Sequence, residues 1–359
     1  MQAASQPLTI SVIVPVHEGG GSFVQCLRAI RAARPAPHEL IVVADGACPA
    51  DIEAASRAEA RVIALPVRSG PARARNAGAR EATGEVLFFV DADVTIAPDA
   101  IARIERIFSP EDASAGAPAA AIGSYDDAPA DPGFLSQYKN LQHHFVHQQG
   151  RACASTFWGA CGAVRSAIFR EAGGFDERYS RPCIEDIELG YRLRAAGHDI
   201  RLCRDLQVKH WKAWTAASLL RADFLYRALP WADLILRDRN APRDLNLAWQ
   251  GRASAALAGA LPCALAAGVA HPRWVVAWAV AFAAAAGLLA LNARFYQFLA
   301  RQRGSWFAAR AIPWHWFYHF YSGVGFVAGL VRHLLGVRRA PWLRRDSQQP
   351  EPARSVAAS

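Results

Sequence analysis

The chain has 359 residues, of which 52% are hydrophobic, with a mean hydropathy of +0.05 and a formal net charge of +9. This length leaves room for one large domain or two modest ones, and the apolar content is high for a purely soluble protein. The seven cysteines are odd in number and form no Cys-x-x-Cys pair, which argues against a disulfide framework and a zinc site.

The basic charge comes almost wholly from arginine, and most of the excess flanks apolar segments after residue 236. Arginine beside apolar segments favours an anionic lipid surface over nucleic acid as the partner. The first seven residues lack a basic start followed by an apolar core, so the sequence predicts no signal peptide. We therefore expect an N-terminal domain that faces the cytoplasm at the inner membrane.

Residues 8–123 alternate strand-like and helix-like stretches, which is typical of a mostly parallel sheet wound by helices. In chain order the predicted elements are strand Leu8–Val16, helix Ser22–Ala33, strand Leu40–Ala44, helix Ala50–Ala60, strand Arg61–Pro66, helix Pro71–Ala82, a strand within Glu85–Val94 and helix Pro98–Phe108. After a low-complexity loop at Ser109–Pro118, the sequence predicts strand Ala119–Ser124, helix Pro132–Gln149 and a mixed layer at 153–208 that ends in strand Ile200–Val208.

The strand within Glu85–Val94 is apolar on both faces, and it ends in two carboxylates, Asp91 and Asp93. Such a strand is buried on both sides, and acids at its carboxyl end are costly unless a positive group neutralises them. Ligands bind at this edge of an open α/β sheet. The pattern predicts a divalent cation, Mg or Mn, that carries a phosphate. A turn in which one Asp caps the next helix is the alternative.

The last third of the chain is apolar and basic. Residues 216–237 interleave apolar side chains with arginine, which suits a helix in the membrane interface and an ordinary packed amphipathic helix equally. Ala253–Ala270 and Trp274–Leu291 approach spanning length and predict a helical hairpin. Ala311–Val331 has no Asp, Glu, Lys or Arg, so we expect a third crossing. Such a crossing would place the basic tail outside the cytoplasm, whereas the positive-inside rule favours basic segments on the cytoplasmic side.

Six short motifs occur in order along residues 8–237. They are Val14-Pro15-Val16-His17-Glu18, Val43-Ala44-Asp45-Gly46, Gly70 with Ala74-Arg75-Asn76-Ala77-Gly78, Asp91-Ala92-Asp93, Gly173-Gly174-Phe175-Asp176-Glu177, and Glu185-Asp186-x-Glu188-x-Gly190-x-Arg192. With these motifs the chain resembles the family 2 glycosyltransferases, membrane-attached enzymes of the GT-A fold that use nucleotide sugars. His17 stands where the family usually has Asn, and Asp45 is alone where the family has two Asp.

The resemblance implies an α/β fold of the GT-A class, a Rossmann-like, mostly parallel sheet with helices on both faces, followed by C-terminal membrane helices. The expected division is a cytoplasmic catalytic domain at 1–215, an amphipathic interfacial segment at 216–252, two or three membrane helices at 253–336 and a disordered basic tail at 337–359.

The resemblance also implies which residues bind the donor nucleotide. Pro15 and Glu18 shape the pocket for the base, and Asp45 accepts hydrogen bonds from base or ribose. Arg75, at the start of an arginine-rich helix, presents hydrogen-bond donors to the nucleotide. Asp91 lies near the ribose.

The same resemblance assigns the metal and the base. Asp93 holds the metal that bridges the diphosphate, and His210 reaches the same ion, with a packed interfacial histidine as the alternative. Asp186 is the general base that takes the proton of the acceptor hydroxyl, and Glu185 is the neighbouring candidate. Acids that merely cap a helix in its first turn are the alternative.

Trp158 and Gly159 match the family's acceptor loop, where Trp158 either stacks on a sugar or packs in the interior. The implied reaction is an inverting, metal-dependent transfer of a sugar from a UDP- or GDP-sugar to a lipid-linked or other membrane acceptor. The processive members' Gln-x-x-Arg-Trp is absent from the region Lys209–Trp214, which argues against a polysaccharide synthase.

Three alternatives remain. A polyprenyl phosphate can accept the sugar, in which case no base is required. A scaffold can keep the fold without chemistry, although it need not keep buried acids. A dinucleotide-dependent oxidoreductase is discounted because the first turn, Glu18–Ser22, does not match Gly-x-Gly-x-x-Gly.

Overall fold

The structure, a computed structural model, describes residues 8–109, 117–242 and 244–336. They form two units, one made of residues 8–131 with 150–213 and one made of residues 132–149 with 214–336. The helix expected at Pro132–Gln149 belongs to the second unit and not to the first. Most of the predicted loop at Ser109–Pro118 and the tail at 337–359 lie outside the described residues.

The first unit contains a nine-stranded sheet in the order β3-β2-β1-β4-β8-β6-β9-β5, with β7 paired to β9. The strands are β1 Ile10–Val16, β2 Glu39–Asp45, β3 Arg61–Leu65, β4 Val86–Val90, β5 Val94–Ile96, β6 Ala120–Tyr125, β7 Cys153–Ala154, β8 Cys161–Arg165 and β9 Ile200–His210. Strands β1 to β4 are parallel, as predicted, but β8, β5 and β7 pair antiparallel, so the sheet as a whole is mixed.

The parallel strands form because their sequences are apolar on both faces. Every residue of β4 is buried, and β1 and β2 are almost as deeply buried. Such runs require helices on both faces of the sheet. The helices of this unit are α1 Gly20–Ala32, α2 Pro49–Arg57, α3 Pro71–Glu81, α4 Ala100–Phe108, α6 Ser166–Glu171 and α7 Glu185–Ala195.

An irregularity in the pairing of β6 with β9 shapes the sheet beside the site. Ile122 pairs with Leu202, but Ser124 pairs with Gln207, so β9 carries extra residues between the two pairs. Bulges of this kind re-aim side chains. Beyond the bulge, β9 runs to His210, which pairs with Val94 of β5. The predicted strand ended at Val208, so the sequence placed His210 after the strand, whereas it is the last residue of β9.

The second unit is helical. Its elements are α5 Phe134–Gln149, α8 Ala216–Leu220, a π-helical turn at Arg221–Ala228, α9 Leu229–Asp238, a 3-10 turn at Leu245–Leu247, α10 Trp249–Ala270, α11 Val275–Leu291, α12 Ala293–Arg303 and α13 Ser305–Leu334. Tyr138 and Leu141 of α5 form a core with Phe295 and Leu299 of α12. This packing explains why α5 belongs to the C-terminal unit.

A buried ion pair also ties α5 to this unit. Lys139 Nζ donates to both carboxylate oxygens of Asp223, at 2.8 and 2.7 Å, and the Tyr321 hydroxyl donates to Asp223 Oδ2 at 2.8 Å. The three residues come from α5, the π-helical turn and α13, so one carboxylate connects three helices.

Among the described residues, α10 alone is a single helix long and apolar enough to cross a membrane. Helices α11 and α12 meet the same criteria only as a pair that is bent by 58°. The predicted third segment, Ala311–Val331, lies within α13, which does not meet them. Helix α13 includes Arg310 and Arg332 just outside the apolar stretch that the sequence singles out.

Candidate active site

The carboxyl ends of the parallel strands meet at one edge of the sheet, where Asp45 ends β2. Its carboxylate is buried, and its oxygens accept hydrogen bonds from Ser69 N at 2.6 Å and Gly70 N at 2.8 Å. The ring Nδ1 of His17 lies 2.6 Å from the Asp45 carbonyl oxygen. Asp45 therefore joins the loops after β1 and β3, in addition to any contact with a base or ribose.

The first loop is held by an acid that the sequence analysis missed. Pro15 is half-buried in β1, and Glu18 is exposed with a φ of +52°, so the chain turns sharply there. The next amide, Gly19 N, donates to Asp51 Oδ1 at 3.0 Å. Asp51 lies buried in the first turn of α2. An acid in the first turn of the helix after β2 was the signal that could have identified it.

Arg75 is buried, and its guanidinium binds two carboxylates of the site; its contact with the nucleotide stays a prediction. Its Nη2 donates to Asp91 Oδ1 at 2.7 Å and its Nη1 to Glu185 Oε1 at 2.9 Å. The guanidinium also lies over the ring of Phe175, 5.4 Å from the ring centre. A buried arginine between two carboxylates neutralises their charge. Arg75 therefore holds Asp91 and Glu185 in place within the interior of the protein.

Glu185 is committed to structural contacts. Oε1 accepts from Arg75, and Oε2 accepts from Cys183 N at 2.9 Å. Burial raises the pKa of its carboxyl above the ordinary value; the charge of Arg75 opposes this effect and that of Asp186 adds to it. Both oxygens of Glu185 are therefore occupied by fixed donors.

Asp186 is more accessible than Glu185, and two backbone amides orient it. Oδ2 accepts from Gly159 N at 3.0 Å, and Oδ1 accepts from Ile187 N at 2.8 Å. Gly159 lies between Asp186 and Arg75, because a Cβ at Gly159 would be 2.9 Å from Arg75 Cζ. The structure thus brings together three predicted residues from separate motifs, on α3, on the loop before β8 and on α7.

Asp93 and His210 lie close together at the same end of the sheet as Asp91. Their atoms Oδ2 and Nε2 are 3.7 Å apart, and Trp211 N donates to the Asp93 carbonyl at 2.9 Å. Burial raises the pKa of the Asp93 carboxyl, but the neighbouring imidazole of His210 and the charge of Lys212 lower it below its ordinary value. Asp93 is thereby kept ionised.

The pair of Asp93 and His210 fits a divalent cation that is shared with a substrate phosphate. A carboxylate oxygen and an imidazole nitrogen are ligands that manganese accepts, and magnesium is commonly held by one or two carboxylates with phosphate oxygens. No group of three or more His, Cys, Asp or Glu in the part of the chain that the structure describes forms a complete metal site. Two protein ligands leave coordination positions for diphosphate and water.

Tyr125, the last residue of β6, contacts both His210, one of the two predicted metal ligands, and Trp158 of the predicted acceptor loop. Its ring stacks on His210 with centres 4.3 Å apart and planes 13° apart, and it meets Trp158 edge to face at 4.9 Å. The sequence analysis missed it because the predicted strand ended at Ser124. Trp158 itself is half-buried against Tyr125 and the core, which agrees with the packing alternative.

Two side chains hold the Gly-Gly-Phe-Asp-Glu motif in place. Asn76 Nδ2 donates to the Phe175 carbonyl at 2.8 Å, and Phe175 N donates to Asn76 Oδ1 at 2.9 Å. Arg192 Nη2 donates to the Gly174 carbonyl at 2.7 Å and pairs with Glu188, one helical turn before it, at 2.8 Å. These residues of the motifs therefore serve the architecture of the site.

Comparison with known proteins decides the family. The model of the family described as "Glycosyl transferase family 2" matches residues 11–171, which contain Asp45, Arg75, Asp91 and Asp93. Residues 11–171 belong to glycosyl transferase family 2. The predicted recognition of a family 2 glycosyltransferase is thereby confirmed for this part of the chain. This match ends before α7, so it does not extend to Asp186.

Curated relatives support the family 2 assignment. The chain is 27% identical over 201 residues to a pre-mycofactocin glycosyltransferase of Mycobacterium tuberculosis, which covers 54% of the chain and 40% of the relative. It is 33% identical over 101 residues to the succinoglycan biosynthesis protein ExoO of Rhizobium meliloti, which covers 27% of the chain and 29% of the relative. The matched stretches thus span less than half of each relative.

A solved structure supports the fold. The chain is similar to the mannosyltransferase PcManGT from Pyrobaculum calidifontis, solved in complex with GDP-Man and Mn2+, with a TM-score of 0.53 at 17% identity. The similarity covers 92% of this chain and 88% of the other. The predicted fold, a GT-A sheet followed by apolar C-terminal helices, is confirmed as a class, while the roles of the individual site residues stay predictions.

Proposed function

We propose that this family 2 glycosyltransferase transfers a sugar from a UDP- or GDP-sugar to a lipid-linked or other membrane-associated acceptor, with inversion at the anomeric carbon and with a divalent cation. The observation that carries the proposal is the arrangement of two acids at one sheet edge. Asp186 is oriented by two backbone amides, and Asp93 lies 3.7 Å from His210.

Asp93 and His210 are the residues that would hold the cation. A divalent cation supplies positive charge that offsets the charge of the departing nucleotide diphosphate. The similar mannosyltransferase was solved with GDP-Man and Mn2+, which supports a nucleotide-sugar donor and a cation of this kind. Asp91, whose Oδ1 is held by Arg75, keeps its other oxygen for the ribose.

Asp186 is the general base in this proposal. Its carboxylate accepts the proton of the acceptor hydroxyl while the hydroxyl oxygen attacks the anomeric carbon opposite the departing diphosphate, which inverts the configuration. Glu185 is the weaker candidate because it is buried and its carboxylate is paired with the guanidinium of Arg75, whereas Asp186 is partly exposed. If a polyprenyl phosphate is the acceptor, it needs no base, and Asp186 only positions it.

The α10–α11 hairpin supports attachment to a membrane. Helix α10 has 22 residues, or about 33 Å, which matches the roughly 30 Å of a bilayer's hydrocarbon core. Large apolar side chains on the hairpin are exposed, including Val269 at 70%, Val275 at 74% and Phe282 at 77%. The connecting turn carries Arg273 and Trp274, residue types that favour the headgroup region. We propose that the hairpin inserts into the cytoplasmic membrane.

A donor panel tests the proposed function. The full-length protein in membrane lipid is incubated with UDP- and GDP-sugars, each with Mg or Mn, and nucleotide release is measured. We expect metal-dependent release with at least one donor. If no donor gives nucleotide release with either metal, the result would favour the non-catalytic scaffold and overturn the proposal.

A further inference from the structure

The ring of His210 has a neighbour that fixes its plane. Its backbone is held in the sheet, because His210 pairs with Val94 and its carbonyl accepts from Ala130 N at 2.9 Å. Backbone pairing does not fix the ring torsion, since terminal torsions of histidine are broad. The stacked ring of Tyr125, 4.3 Å away and 13° from parallel, restricts that torsion.

The bulge between β6 and β9 makes this stacking possible. The register shift after Ile122 sets Tyr125 opposite Val208, two residues before His210 on the same strand. In the resulting arrangement the side chain of His210 is only 6% exposed, and its Nε2 lies 3.7 Å from Asp93 Oδ2. The ring centres of Tyr125 and Trp158 are 4.9 Å apart, so Tyr125 links the predicted acceptor loop to the predicted metal ligands Asp93 and His210.

We propose that Tyr125 is a positioning residue whose ring holds the imidazole of His210 in the orientation that binds the cation beside Asp93. The inference rests on the proposed function and deepens it. The stacking uses the ring face and not the hydroxyl, so phenylalanine at this position keeps the effect and leucine, of similar bulk but without a ring, loses it. Partners that orient a metal ligand are commonly worth 10- to 100-fold in metal affinity.

The test measures binding of Mn2+ to the full-length protein by electron paramagnetic resonance, with UDP and with GDP, and without turnover. We expect Tyr125→Leu to weaken Mn2+ binding about tenfold or more. We expect Tyr125→Phe, which keeps the stacked ring, to bind Mn2+ as tightly as the natural protein. Unfolding temperature without ligands shows whether each variant is folded.

A double-mutant comparison separates positioning from general disturbance. If Tyr125 acts through His210, Tyr125→Leu adds no further loss of Mn2+ affinity to His210→Ala. Should Tyr125→Leu fail to fold, Tyr125→Met replaces it, because methionine adapts to irregular space.

Three results would overturn the inference. They are unchanged Mn2+ affinity in Tyr125→Leu, an equal loss in Tyr125→Phe, and additive losses in the double variant. Failure of the natural protein to bind Mn2+ with either nucleotide contradicts the proposed function itself. If the natural protein binds Mn2+ and Tyr125→Leu binds it with the same affinity, the result contradicts only the role of Tyr125.

Discussion

At the scale of single residues, Arg75 connects two motifs that the sequence keeps far apart. It binds Asp91, 16 positions away, and Glu185, 110 positions away, through one buried guanidinium. The sequence identified Arg75 as a site residue but assigned it to the nucleotide. Whether an arginine faces a ligand or two buried acids depends on which elements pack around it, and this is not encoded in the local pattern.

We expect Arg75→Ala to destabilise the fold strongly, because it leaves two carboxylates near each other without their cation. Removing one partner of a buried ion pair typically costs about 3 to 5 kcal/mol of unfolding free energy. Urea unfolding measures the change. The matched control is Arg80→Ala on the same helix, whose ion pair with Glu177 is largely exposed and which we expect to change stability by less than about 1 kcal/mol. Similar losses in both variants would contradict a stabilising role of the ion pairs of Arg75 with Asp91 and Glu185.

Asp186 gives a prediction about chemistry. We expect Asp186→Asn to keep nucleotide binding and to lower the transfer rate by about 10²- to 10⁴-fold, the usual contribution of a general base. Calorimetry measures donor binding, and nucleotide release in the presence of acceptor measures transfer. Asp205→Asn, which changes an exposed acid paired with Arg103, is the control. Retained transfer in Asp186→Asn would favour the phosphate acceptor.

At the scale of elements, the sequence predicted the early strands and helices to within a few residues, because buried parallel strands are long apolar runs and helices have their own period. The prediction was poorer where long-range pairing decides. Strand β9 reaches His210 only because β5 is available to pair with it, and α5 joins the helical unit through Tyr138 and Lys139. The sequence of β9 does not identify β5 as its partner, and the sequence of α5 does not identify the helical unit as its partner.

The loop before β8 gives an element-scale prediction. A Cβ at Gly159 would lie 2.9 Å from Arg75 Cζ, below ordinary contact distances, so we expect Gly159→Ala to displace the guanidinium or the loop. Overpacking of this kind typically costs about 1 to 3 kcal/mol. Thermal unfolding measures it. Gly21→Ala is the control, because a Cβ at Gly21 in α1 meets open space. A neutral Gly159→Ala would show that the loop and Arg75 move apart freely.

At the scale of the whole molecule, the chain joins a family 2 domain to a helical unit with an exposed apolar hairpin. An inserted hairpin crosses twice, so both of its ends stay on one side of the bilayer. The sequence alone favoured a third crossing by Ala311–Val331. In the structure, α13 contributes Tyr321 to the buried cluster with Lys139 and Asp223, and polar contacts of this kind are costly within hydrocarbon unless protein surrounds them.

The hairpin gives a prediction about membrane attachment. We expect Phe282→Asp to reduce recovery of the protein with membranes, because an acid near the centre of an inserted helix costs about 2.5 to 3.5 kcal/mol. Flotation with liposomes that contain anionic lipid measures the bound fraction. Val67→Asp, which places the same charge at an exposed apolar position in the first unit, is the control. Equal recovery of both variants would argue against insertion of the hairpin.

The sequence by itself determined the class of the fold, the sheet edge that carries the site and the family, because alternating periodicity and ordered motifs are local properties. The tertiary structure decided which side chains face each other. Arg75 turned inward to Asp91 and Glu185, and Tyr125 came to stack on His210. These partnerships depend on strand order and on a bulge between two distant strands, and no local pattern specifies either.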